Sequence, residues 1–285
     1  VIYKLRDDDK NPFNIRLNYS KTLARPSLRE YSESIVYDNE LRADVFGNAN
    51  LKLVKVNNYD VRMETYFPGG DFVSLSLFYK DFKNHIELID LNGGFSWSNS
   101  DFSTVKGIEI DGRKKLGKNI EFTTNISLIS SKSTVIGYAL MLDVPTKVQT
   151  WFPIDTFERV MFGQAPYVIN TMLAYNYEKI GLNISLAYNL QGPRLTIQGA
   201  RNVSDLSKNV PDIFEMPRHL FDLKIIQRLT ERFGISLTVR DILNSPIRRS
   251  YKFTDSGGNN LGYLVDFDSF QIRHKFFVKF FPIRF

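Results

Sequence analysis

Apolar and polar side chains alternate one for one through ten separate segments of this chain, and only extended backbone turns such a pattern into two clean faces. Phe13, Ile15, Leu17 and Tyr19 alternate with Asn14, Arg16, Asn18 and Ser20. Tyr59, Val61, Met63 and Thr65 oppose Asp60, Arg62 and Glu64. Phe72–Ile89 sets Val73, Leu75, Leu77 and Tyr79 against Ser74, Ser76 and Lys80, and in Val105–Arg113 Ile108 and Ile110 oppose Glu109, Asp111 and Arg113. Ile120–Ser130 follows the same scheme, as do the segments around Leu173, Leu223 and Leu237. Leu182, Ile184, Leu186, Tyr188 and Leu190 against Asn183, Ser185, Ala187, Asn189 and Gln191 form the most regular run. A last strand carries Phe276, Val278 and Phe280 on its apolar face.

A soluble β-sandwich would alternate too, so the connections between segments carry the decision. Phe67–Asp71, Lys115–Asn119, Glu178–Gly181 and Thr230–Gly234 read as tight turns. Between them lie the long stretches Arg25–Val56, Asp90–Ser103, Ser133–Gly163, Pro193–Pro217 and Ser245–Asp268. Strict short/long alternation puts every long connection at one end, as in an outer-membrane β-barrel. Sandwiches and propellers carry no such constraint. Ten residues at about 3.3 Å each, tilted about 45°, cover roughly 23 Å, close to the apolar band of such a barrel. Charges keep to the polar faces, as they must where Lys or Arg at the lipid midplane costs about 2–4 kcal/mol. The expected fold is all-β: an antiparallel transmembrane β-barrel with about ten of its strands in this chain, in the outer membrane of a Gram-negative bacterium.

Composition agrees with this reading. No apolar run reaches the roughly 18 residues of a spanning helix, and mean hydropathy is −0.23, which leaves a membrane barrel open. Cysteine is absent, so there is no disulfide framework and no thiolate metal site. The net charge of +6 comes from 37 basic residues interleaved with 31 acidic ones, with no basic block, so no nucleic-acid partner is expected.

At the ends, Val1–Leu5 reads as the tail of an earlier strand and Arg6–Asn11 as the turn after it. Asp7, Asp8 and Asp9 suit a solvated turn better than Ca²⁺ ligation. Pro282 cannot donate to a ladder and apolar parity shifts from Phe280 to Phe281, so a bulge is expected there. The C-terminal aromatic Phe285, closing an amphipathic strand, has the form of an outer-membrane assembly signal.

Several segments resemble the C-terminal barrel half of TonB-dependent outer-membrane receptors. Ser20-Lys21-Thr22-Leu23-Ala24-Arg25-Pro26-Ser27 resembles that family's S-x-x-x-x-R-P-S segment. Gly47-Asn48-Ala49-Asn50-Leu51-Lys52 resembles its G-N-P-x-L-K signature, with Ala49 in place of proline. Val105-Lys106-Gly107-Ile108-Glu109 matches its x-x-G-x-E strand, and Asp241-Ile242-Leu243-Asn244 its late N/D-x-x-N corner. The resemblance implies a 22-stranded barrel, with 1–285 as its C-terminal portion. It also implies a plug domain and an energy-coupling box outside this chain, the box engaging an inner-membrane energy-coupling protein. The function implied is import of a scarce nutrient (an iron chelate, cobalamin, a glycan or a peptide) by plug gating. Lipid and lipopolysaccharide would surround the barrel, and a surface lipoprotein or larger envelope complex is a further candidate partner. Two alternatives stay open: a receptor-like barrel serving as a structural or assembly subunit, and a complete porin-like barrel in which Asn11–Leu23 pairs with the strand ending at Phe285.

No catalytic residue, cofactor or metal site is expected. His85, His219 and His274 lie on separate strands without zinc spacing, and His85 with Asp90 is the nearest approach to a protease pair. Asp60, Arg62, Glu64, Glu109, Asp111 and Arg113 should line the lumen, where they contact a plug or pair across strands. Phe95, Trp97, Trp151, Phe152 and Phe157 fall in long connections, where aromatics stack on ligands or partners, or pack loop against loop.

Overall fold

The computed structural model describes residues 1–6, 11–39, 41–90, 94–143, 148–199, 210–254, 260–270 and 275–282. The strands begin with β1 (Ile2–Arg6), β2 (Phe13–Ala24), β3 (Ile35–Asp38), β4 (Ala43–Phe46), β5 (Val54–Tyr66) and β6 (Phe72–Asp90). There follow β7 (Phe95–Lys115), β8 (Ile120–Asp143), β9 (Val148–Arg159), β10 (Tyr167–Tyr177), β11 (Leu182–Gln191) and β12 (Arg194–Ile197). The last are β13 (Asp212–Glu215), β14 (Arg218–Arg228), β15 (Phe233–Arg240), β16 (Ile247–Thr254), β17 (Asn260–Phe270) and β18 (Lys275–Pro282). Each of the ten alternating segments is a strand, and all lie in one 14-stranded sheet whose main path is β1-β2-β5-β6-β7-β8-β10-β11-β14-β15-β18. Along that path neighbours are antiparallel. The tail at Val1–Leu5 is β1, which pairs with β2.

The wall is inside out relative to a soluble sheet. On β6, Val73, Leu75, Leu77 and Tyr79 are 45%, 36%, 41% and 40% exposed, whereas Ser74 and Ser76 are 2% and 9%. On β7, Ile108 and Ile110 face out at 42% and 43%, while Ser103 and Val105 are buried. Serines are enclosed and leucines bared on the same strands. Leaving whole apolar rows bare in water would forgo roughly 25 cal/mol per Å², so this wall suits hydrocarbon on one side and water on the other.

Two glycines show how the faces are held in register. The Phe78 ring lies over Gly107, its cross-strand partner; a Cβ there would meet that ring at 2.6 Å and the Leu128 carbonyl oxygen at 2.5 Å. The Phe281 ring covers Gly234 in the same way, at 2.5 Å. That second contact explains why the expected bulge is absent. The register from Arg240↔Lys275 to Phe233↔Pro282 is unbroken, because the off-parity Phe281 finds space over a residue without a side chain, and Pro282 sits at the strand end. Phe285, residues 7–10 and His274 lie outside the described residues.

The long connections are not loops in the sense the sequence suggested. Asp90–Ser103 belongs almost wholly to β6 and β7, which stay paired to Asp90↔Phe95. Ser133–Gly163 is largely the β8–β9 hairpin, and 25–56 contains a short helix, α1 (Leu28–Tyr31), with β3 and β4. Segments of the last two connections assemble a second antiparallel sheet, β12-β13-β16-β17. Polar and Gly residues in these stretches hid the strands from a count of alternating apolar positions.

The edges of the large sheet do not meet. Among the described residues β2 pairs with β1 and β5, and β18 pairs with β15, so the pairing required of a complete porin-like barrel is not formed.

Replacing Gly107 with valine should overpack the Phe78 contact and cost about 1–3 kcal/mol, seen as a lower urea midpoint for the protein in lipid. Gly112→Ala, whose nearest neighbours stand 3.8 Å away, should leave the midpoint unchanged.

Candidate functional site

Strand register stacks the polar side chains of the wall into rows. Glu64, Ser74, Asp111, Asn125, Asn170 and Asn189 occupy successive strands at one level, and Arg62 and Arg16 sit one row above. Glu64 is 4% exposed and accepts from two arginines, Arg16 at 2.6 Å and Arg62 at 3.1 Å. Arg62 turns its other nitrogen to Asp111 at 2.9 Å. Asp111 also accepts from Ser74 at 3.1 Å and Asn125 at 2.5 Å.

From there a one-way amide relay continues. Asn170 donates to Asn125 at 3.4 Å and Asn189 to Asn170 at 2.5 Å, so successive amides point their donors toward Asp111. The belt joins β2, β5, β6, β7, β8, β10 and β11 into one hydrogen-bonded surface. A trough of about 280 Å³ runs beside the relay, with Thr123, Asn125, Asn170, Asn189 and Asp222 in its lining. A surface that alternates fixed carboxylates, guanidiniums and amides binds polar groups and backbone.

The six residues expected in the lumen share this face. Arg62, Glu64 and Asp111 form the charged centre; Asp60 accepts from Asn18 at 3.3 Å and Glu109 from Ser127 at 3.4 Å. Arg113 bonds the Gly70 carbonyl at 2.9 Å and lies over the Phe72 ring, which pins it to the tight turn. The amide relay was missed in the sequence. Its signal was an asparagine at one level of β8, β10 and β11, invisible until the register is known.

The second concentration of chemistry lies at the long-connection end. Val45, Leu88, Phe95, Ile197 and Ile213 form a buried core, with Trp97, Phe162, Tyr251 and Phe267 packed against it. It joins the small sheet to the wall, reinforced by a hydrogen bond from the Gln198 amide to the Leu88 carbonyl at 3.0 Å. Phe95 is 6% exposed and Trp97 packs beside it, so both rings are held in the core rather than on an open surface. Trp151, Phe152 and Phe157 belong to β9, and their side chains lie outside the described residues.

Beside the core sits a buried polar cluster. Glu87, 2% exposed, is ion-paired with Arg159 and accepts from Ser133 at 3.1 Å; Arg159 also donates to Gln198 at 2.7 Å. Past the bend at Asn84, these residues stand beyond the apolar rows of the wall. Burial, with the nearby Arg159 cation adding to it, lowers the His85 pKa from 6.5 to about 4. Burial raises that of Glu87, against the pull of Arg159. His219, the other described histidine, has its Nδ1 2.8 Å from the Tyr188 hydroxyl.

Three sequence signatures gain physical reasons here. Ser27 and Glu30 cap α1 reciprocally, at 3.3 and 2.7 Å, which turns the chain after Pro26. A Cβ on Gly47 would lie 1.6 Å from the Ser32 carbonyl oxygen, so only glycine permits that approach; Asn48 then ties the segment to the Trp97 carbonyl at 2.9 Å. Asp241 and Asn244 both take positive φ, 53° and 48°, a conformation that Asp and Asn tolerate, and Asp241 pairs with Arg218 at 2.8 Å.

Asp111→Asn should remove the charge that faces Arg62 and replace one of the two oxygens shared by Arg62, Ser74 and Asn125 with a donating NH2, at a cost of about 1–3 kcal/mol read from the urea midpoint in lipid; Asn189→Ala, at the relay's end, should cost less. His85 binds its proton more weakly folded than unfolded. The stability it contributes is therefore complete above about pH 6.5 and is lost as pH falls toward about 4. Amide protection factors in β6 beyond Asn84, corrected for the pH dependence of intrinsic exchange, should fall as pH drops across that window, and His85→Gln should flatten the change.

The family described as TonB dependent receptor-like, beta-barrel matches residues 1–270. Among solved structures, a ferric enterobactin receptor (PfeA) mutant from Pseudomonas aeruginosa aligns at 13% identity and TM-score 0.54 over 96% of this chain and 38% of that one. The copper transporter OprC aligns at 13% identity and TM-score 0.58, over 99% and 38%. The FpvAI–pyocin S2 complex aligns at 12% identity and TM-score 0.56, over 99% and 32%. At such identities these structures support the fold alone, and this chain spans less than two fifths of their lengths. No curated protein sequence matches it. The family match over nearly the whole length and the inside-out antiparallel wall agree: this chain belongs to the TonB-dependent receptor family, as part of its β-barrel.

Proposed function

We propose that this chain is the C-terminal portion of the barrel of an outer-membrane receptor that imports a scarce nutrient, with transport gated by a plug domain and driven through an inner-membrane energy-coupling protein. The observation that carries the reading is the belt from Arg16 through Glu64, Arg62 and Asp111 to Asn189. It offers a hydrogen-bonding surface on the enclosed face while the opposite face is apolar. A plug held by fixed donors and acceptors can be released by exchanging those bonds for water, at small net cost per bond. Asp60, Arg62, Glu64, Glu109, Asp111 and Arg113 are the proposed plug-facing or lumen groups, and Phe285 the assembly signal. No bond of the cargo is broken in this reading. The solved structures named above include a ferric enterobactin receptor and a copper transporter; a metal or metal chelate is therefore the first cargo class to test.

The test is growth. A strain deleted for the full-length gene should lose growth on one chelate or copper source at limiting concentration and regain it on complementation. Normal growth on every candidate, with the barrel present at normal level in the wild type, would favour the structural-subunit alternative.

A further inference from the structure

The outward face changes character at a row of tyrosines. Tyr19, Tyr59 and Tyr79 stand side by side on β2, β5 and β6, with ring centroids 5.0 and 6.1 Å apart. On the tight-turn side the next outward row is Leu17, Val61 and Leu77. On the long-connection side the rows become Lys21, Asn57 and Asp81, then Leu23, Lys55 and Lys83. Lys106 lies beside Tyr79, and Lys132 faces Thr104 one row further.

All five lysines are exposed. Two acidic groups share the patch: Asp81, which accepts from Asn57 at 2.7 Å, and Glu158, ion-paired with Lys132 at 2.7 Å. Among the described residues Lys21, Lys55, Lys83 and Lys106 make no ion pair. Lys55 and Lys83 are direct cross-strand partners, an arrangement that is destabilising unless an anion sits between them.

We infer that this patch binds the phosphate groups of an outer-leaflet lipid, centred on Lys55 and Lys83 and flanked by Lys21 and Lys106. The inference rests on the proposed membrane setting, since it takes the outward rows to meet lipid. The patch is open and continuous with the apolar rows beneath it. Acyl chains lying on Leu17, Val61 and Leu77 would therefore carry their headgroup phosphates up to the lysines, one and two outward rows beyond the tyrosines. A free anion would find no enclosing groove there.

Full-length protein in neutral detergent would be titrated with lipopolysaccharide, with inorganic pyrophosphate and deacylated lipopolysaccharide as competitors. Lys55→Gln with Lys83→Gln should weaken binding roughly 30-fold at low salt, at roughly fivefold per lysine. Lys118→Gln, in a tight turn, should leave it unchanged. Equal affinity in the double variant overturns the patch, and so does competition by the deacylated form as strong as by intact lipid, which would make the ligand a free anion. Insertion of the wild type into neutral-lipid nanodiscs separates the two layers of argument. Insertion with unchanged affinity in the variant removes only this patch, whereas failure to insert removes the membrane setting as well.

Discussion

Backbone hydrogen bonding between neighbouring strands is the constraint on which this structure depends. A wall with hydrocarbon on one side cannot leave N–H or C=O groups to be satisfied by solvent there, so each strand must satisfy them laterally. Once that is done, side chains are free to divide by parity, and the division seen on β6, with bared leucines and enclosed serines, follows without a conventional core. The glycines under Phe78 and Phe281 serve the same end, because they let aromatic rings sit on the polar face without breaking the ladder.

What a core would ordinarily supply is divided here between two places. Lateral cohesion within the enclosed face comes from the belt around Glu64 and Asp111, where each carboxylate receives several donors. Apolar burial is concentrated at the long-connection end, around Phe95, Leu88, Ile197 and Ile213. The consequence is an end that is built as structured protein. The small sheet, the parallel pairing of β4 with β7 and the Glu87–Arg159 pair fix the long connections to the wall.

The signatures shared with the family become physical statements when read on this structure. Gly107 is a glycine because Phe78 covers it, Gly47 because the Ser32 carbonyl leaves no space, and the Asp241–Asn244 corner because two residues must adopt positive φ. The tyrosine row and the lysines beyond it extend the same logic outward, marking where the apolar surface ends.

Alternation along the chain determined the ten wall strands, their apolar and polar faces, and the tight turns between them, because side-chain parity in a strand is a local property that any reader of the sequence can count. It also determined that Arg62, Glu64 and Asp111 share a face. Tertiary structure alone decided which residues meet across strands: register aligns Asn125, Asn170 and Asn189 into a relay, brings Lys55 opposite Lys83, and seats Phe281 over Gly234 where a bulge had been expected. It also decided that the long connections continue as strands and fold into a second sheet with its own core, enclosing Phe95 and Trp97. The reason is that register and packing depend on contacts between residues far apart in the chain, and period two specifies a face without specifying a partner.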